Sequence, residues 1–207
     1  MSEVSTTHAP AGLDSHISET SLGVDSRKLG LWSFIGSETL FFAALIVGFL
    51  VYKPVNAARP DFQDPHEVLG IAFTGLLAAI LLASSLTMVL ALSAIRGDNQ
   101  RWFRIWLGAT AFLGICFLGG QVYEFNHLYH EGVTLSSSML GTTFFVLTGF
   151  HGTHVAIGVI WLLSVLWRSI KRGYSSHDNM DVELAGMYWH FVDLVWVAVF
   201  TIVYLLP

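Results

Sequence analysis

Long, almost uncharged apolar runs organise this chain, rather than the alternation of a strand or the single apolar stripe of a surface helix. Five of them lie at roughly 29–52, 69–95, 102–125, 139–167 and 184–206. Each is near the twenty or so residues that a helix, rising about 1.5 Å per residue, needs to cross a bilayer. The pattern predicts an all-α integral membrane protein, with five transmembrane helices in one bundle over residues 29–207 and no separate soluble domain. Turn-forming residues mark short connections: Lys53-Pro54 through Pro65, Arg96-Gly97-Asp98-Asn99, and Arg172-Gly173-Tyr174-Ser175-Ser176. Residues 1–28 are polar and read as a mobile tail, unlike a secretory signal or an Arg-rich transit peptide. No internal repeat emerges. The second run, whose polar content is mainly Ser84, Ser85 and Thr87, reads as packing scaffold.

Composition agrees with a membrane protein: 54% of residues are hydrophobic and 12% charged, about half the charge of a soluble domain. The distribution of Lys and Arg adds an orientation. Arg27 and Lys28 precede the first run, Arg96, Arg101 and Arg104 flank the second connection, and Arg168, Lys171 and Arg172 follow the fourth run. Those regions fall on one side of an alternating bundle, and the other side has only Lys53 and Arg59. The tail is therefore expected to be cytoplasmic and the C-terminus periplasmic. The net charge of -5 lies largely in the tail and loops, and nothing suggests a nucleic-acid partner. The single cysteine, Cys116, lies within the third run and reads as a small core residue.

Ionisable groups inside the runs are expensive and usually have a task. Glu38, His151, His154, His190 and Asp193 all fall, by helical rise, between the bilayer centre and the Arg-rich face. His151 and His154 are three apart, as are His190 and Asp193, so each pair shares a helix face. Glu38, between Phe34 and Phe41-Phe42, is expected to carry its proton unless a histidine or a water bonds it. His190 with Asp193 reads either as a structural pair tying the fifth helix to its neighbours or as proton chemistry. For His151 and His154, interhelical hydrogen bonding stands beside a proton or metal role. Thr148, Gly152 and Ala156 recur every four residues, a packing stripe that lets another backbone come close.

A bound redox centre finds little support. Two imidazoles three apart on one helix cannot clamp one heme iron, and copper would call for thiolates, thioethers or a third histidine. Further along, Gln121 and Glu124 lie three apart at the outer end of the third run, followed by His127, His130 and Glu131 in what reads as a solvated loop or, less simply, a metal site. Glu183 lies seven residues before His190 on the same face, either a point where protons come in or an interfacial carboxylate.

Several of these residues also carry a family resemblance. Thr143-Phe144-Phe145-Val146, Thr148-Gly149-Phe150-His151-Gly152 and His154-Val155 look like the subunit III signature of the heme-copper terminal oxidases, the cytochrome c oxidase polypeptide III family. The likeness extends to Glu183 followed by Tyr188-Trp189-His190-Phe191-Val192-Asp193 with Val195-Trp196, to Phe34-Ile35, Ser37-Glu38 and Leu40-Phe41-Phe42, and to Gln121 with Glu124. It implies a V-shaped helix bundle whose cleft holds structural phospholipids, docked on the catalytic subunit I, with subunit II, in a bacterial plasma (inner) membrane. It implies a non-catalytic part in a proton-pumping oxidase of the aerobic respiratory chain: keeping proton uptake fast, protecting the active site during turnover, and contributing no heme, copper or other bound metal. Contacts with other respiratory complexes are compatible with it. By resemblance Glu38 is the family's buried carboxylate, and His151, His154, Glu183, His190 and Asp193 are its characteristic polar positions. The chain lacks two N-terminal helices of the seven-helix form and looks like the short bacterial type, and the electron donor stays open between cytochrome c and quinol. The alternatives are a stand-alone proton channel or small transporter using Glu38, His154, His190 and Asp193 as a relay, and a b-type cytochrome.

Overall fold

A computed structural model describes residues 25–57, 71–130, 139–174 and 179–205. It contains five long helices: α1 Ser26–Ala57, α2 Ile71–Arg96, α3 Gln100–His130, α4 Met139–Arg172 and α5 Met180–Phe200. A π-helical turn at Thr201–Leu205 continues α5. All five are long and apolar enough to cross a membrane.

Helices α1, α3 and α4 outrun the apolar runs that predict them, because hydropathy marks the hydrocarbon thickness whereas the backbone needs partners beyond it. Asp25 starts α1, its Oδ1 accepting the Arg27 N–H at 2.8 Å, so Arg27 and Lys28 lie in the first turn rather than in the tail. The predicted tail otherwise falls outside the described residues. At its other end α1 runs through Pro54 to Ala57, past the point where a loop is expected to open. A proline in the last turns removes one backbone donor without stopping the helix. Likewise α3 reaches His130, which places His127 and His130 on the helix instead of in a loop, and Glu131 lies outside the described residues.

The turn expected between the second and third helices forms at Gly97–Asp98, with Asp98 at φ 52. Asn99 caps α3 by accepting the Trp102 N–H at 3.3 Å. At the end of α4, Gly173 takes φ 74 and its N–H returns to the Ser169 carbonyl at 3.1 Å. That conformation suits glycine and stops the helix.

Helices α2, α3, α4 and α5 close into a ring: α2 packs on α3 and α5, and α4 packs on α3 and α5. Helix α1 lies outside the ring against α4 and α5. Lipid tails are as apolar as leucine, so close packing and interhelical hydrogen bonds hold such a ring together. Trp189 on α5 shows both. Its indole lies where Cβ atoms on Gly114 of α3 and Gly158 of α4 would come to 2.6 and 3.0 Å, and its Nε1 donates to Ser84 Oγ on α2 at 3.0 Å.

The ends of the helices agree with the predicted alternation. Glu183 at the start of α5 receives Lys28 of α1 at 2.8 Å and Arg96 of α2 at 3.2 Å, while Asp181 pairs with Arg168 of α4. Arg104 of α3 donates to Ser169 of α4 at the same end. All five helices thus meet at one basic end.

Candidate functional site

The closest contact between predicted polar groups joins α1 to α4. His154 Nε2 lies 3.2 Å from Glu38 Oε2. The other ring nitrogen, Nδ1, donates to the Phe150 carbonyl at 2.8 Å, because a carbonyl can only accept. That bond fixes the role of Nε2. Either a protonated Glu38 donates to its lone pair, or an imidazolium donates to the carboxylate. Either arrangement would leave the pair neutral as a unit. The lone Glu38 expected from sequence therefore has the histidine partner that was the stated exception. Phe42 lies edge-on to the His154 ring, 5.1 Å between centroids.

Above this pair, toward the basic end, a groove of about 420 Å³ opens between α1, α4 and α5. Phe34, Ile157, Trp161 and Tyr188 form its walls, His154 lies at its foot and Arg27 at its rim. Tyr188 Oη donates to the His154 carbonyl at 3.1 Å, holding the foot of the groove to α5.

His151 goes elsewhere. It is fully buried and stacked on Trp196, 4.8 Å between centroids, with Phe117 edge-on at 5.8 Å. Among the described residues neither of its nitrogens has a hydrogen-bond partner, and nor does Trp196 Nε1. Aromatic packing therefore surrounds His151 where an interhelical hydrogen bond was one of its two readings. The packing stripe also works differently from expectation. At Gly152 a side chain approaches instead of a backbone: a Cβ there would meet Gln121 Oε1 at 2.7 Å, and Gln121 Nε2 donates to the Thr148 carbonyl at 2.8 Å. A carboxamide supplies a backbone carbonyl with a second donor, which another helix backbone cannot do.

His190 is joined to α2. Ser85 Oγ of α2 lies 3.0 Å from His190 Nδ1, and Asp193 is buried one turn further along α5. Toward the opposite end, Glu124 is buried and accepts from Thr74 of α2 at 2.6 Å and from Tyr204 of the π turn at 3.2 Å. Glu183 pairs with Lys28 at 2.8 Å and Arg96 at 3.2 Å at the basic end. Among the described residues no three His, Cys, Asp or Glu side chains gather closely enough to hold a metal ion.

Comparison with known proteins places this geometry. The family described as cytochrome c oxidase subunit III matches residues 13–206. The chain belongs to that family. It is 41% identical over 182 residues to the cytochrome c oxidase subunit 3 of Bacillus subtilis, covering 87% of this chain and 86% of the relative. It is 38% identical over 206 residues to the corresponding Synechocystis subunit, covering 99% and 84%. The quinol oxidase subunit 3 of Bacillus subtilis is 37% identical over 178 residues, covering 86% of each. The chain is therefore a multi-pass membrane subunit of a heme-copper terminal oxidase, similar to subunits of both donor types.

Sequence reasoning located Glu38 and His154 but missed their surroundings. Ser84, Ser85 and Thr74, which look like small packing residues in an apolar run, are the partners of Trp189, His190 and Glu124. Tyr204 was equally invisible, because its inward position depends on the π turn. The one available signal was that three hydroxyl residues of α2 face carboxyl, imidazole and indole groups at matching depth.

Proposed function

We propose that this chain is the non-catalytic third subunit of a proton-pumping oxidase in a bacterial plasma membrane, and that it sustains the catalytic subunit through a lipid-filled groove and a shared proton. The observation that carries this reading is the Glu38–His154 pair at the foot of the groove. Apolar walls suit an acyl chain, and Arg27 at the rim suits a phosphate headgroup. A phospholipid seated there also covers the pair from water. The basic end is cytoplasmic by the distribution of its Lys and Arg, so the pair lies on the side from which protons are taken up. The hemes and copper of such an oxidase would lie in its partner subunits I and II. A V-shaped cleft would need its second arm from helices outside the five described. Cytochrome c and quinol remain equal candidates for the donor, a choice made in other subunits.

The test compares purified oxidase with and without this chain, following oxygen consumption to exhaustion. The initial rate should be nearly unchanged, and activity should decay sooner in the complex without the chain. Equal loss of rate and lifetime would reject the protective role.

A further inference from the structure

On the side of α5 away from the lipid groove, a polar group stands open in an otherwise apolar surface. His190 is half-buried, its Nδ1 engaged by Ser85, and its Nε2 has no hydrogen-bond partner among the described residues. Around it, Leu82 and Val89 flank Ser85 along α2, and Leu194 and Val197 follow His190 along α5, all four exposed. The spacings of three, four and seven residues put each set on one stripe of its helix. Because Ser85 meets His190, the two stripes lie side by side.

The depth of this patch decides what can cover it. The span containing α5 runs from Met180 to Leu205, and His190 lies about 15 Å from its basic end, within a turn of the midpoint. Hydrocarbon offers no hydrogen bond there and water is scarce, so an imidazole nitrogen facing lipid is costly. A lipid headgroup sits too shallow to reach it. A polar side chain on another membrane helix is left.

The Ser85–His190 bond also sets the chemistry of that side chain. If His190 Nδ1–H donates to Ser85, Nε2 presents a lone pair. If instead Ser85 donates to Nδ1, Nε2 presents an N–H. A hydroxyl or a carboxamide serves either case, since both can donate and accept. We propose that the α2–α5 face centred on His190 Nε2 docks a transmembrane helix of a neighbouring oxidase subunit, which brings a hydroxyl or carboxamide side chain to it near mid-membrane. The inference rests on membership of a family of oxidase subunits and on this surface alone, so it stands or falls independently of the lipid groove.

A photo-crosslinking residue placed at Leu194 or Val89 in the assembled oxidase, followed by mass spectrometry, tests the docking. Adducts to another subunit are expected. Adducts to lipid only, or to a second copy of this chain, would overturn the proposal. In a second measurement, His190→Leu should weaken retention of this chain in the complex on detergent dilution about threefold, the effect of one interhelical hydrogen bond in a membrane. His190→Gln should restore it, because a carboxamide can make the same bond. Retention of the leucine variant equal to or tighter than that of the native chain would overturn the proposal. Because His190→Leu also removes the Ser85 contact, the crosslink, made with His190 in place, carries the decision.

Discussion

Trp189 stands where α2, α3 and α4 meet α5, its indole against Gly114 and Gly158 and its N–H on Ser84. A side chain at Gly114 has nowhere to go, since both neighbours are buried and one is an indole already fixed by a hydrogen bond. Gly114→Val should therefore destabilise the bundle by about 1–3 kcal/mol through overpacking, read as a lower melting temperature in detergent. Gly119, with nothing within 4 Å of a Cβ, provides the contrast: the same substitution there should leave the melting temperature nearly unchanged. At this scale the sequence is informative about which groups are unusual and much less about what they touch. His151 and His154 are three apart, yet one enters an aromatic cage and the other meets Glu38. Three residues leave a helix rotation of about 60° between two side chains. Which helices flank those directions is a property of the ring, which spacing alone does not carry.

Among the elements, α1 is the least embedded. Its inward line is Leu31, Ile35, Glu38, Phe42 and Phe49, while Trp32, Leu40, Val47 and Val51 face outward. It forms one wall of the groove and holds Glu38, so its seating governs the candidate site. Its polar attachments include the Glu38–His154 contact near its middle and the Lys28–Glu183 ion pair at its basic end, beside ring contacts such as Phe34 on Tyr188 and Phe41 on Phe150. Glu183→Gln releases Lys28 and Arg96 together, each such partly exposed pair contributing about 0.2–1 kcal/mol. Hydrogen exchange should then rise in the first turns of α1 and the last turn of α2, with α3 unchanged. Uniform exchange increases across all helices would mean that Glu183 supports the whole fold rather than these two ends. Five helices and their antiparallel order were legible from apolar runs and basic clusters because bilayer thickness imposes both. The helix ends were not, since Pro54 and the polar turn before His130 remain helical beyond the hydrocarbon.

The described residues form a closed four-helix ring with one helix outside it. This architecture leaves two distinct faces on α5: the groove toward α1 with the Glu38–His154 contact at its foot, and the opposite face with His190 open at mid-depth. The proposed accessory role calls for both kinds of surface, one to hold lipid and one to stay attached to neighbouring subunits. Membership of the cytochrome c oxidase subunit III family accounts for attachment to an oxidase. What the geometry adds is the 3.2 Å contact between Glu38 and His154, on which the proposed shared proton rests. If Glu38 and His154 act as one group, removing either removes the function of both. The decisive measurement follows oxygen consumption by the purified oxidase carrying Glu38→Gln, His154→Gln or both substitutions, recording initial rate and turnover lifetime separately. The three variants should keep near-native initial rates and shorten lifetime to the same extent. Independent, additive losses, or initial rates that fall in step with lifetime, would contradict the shared-proton account.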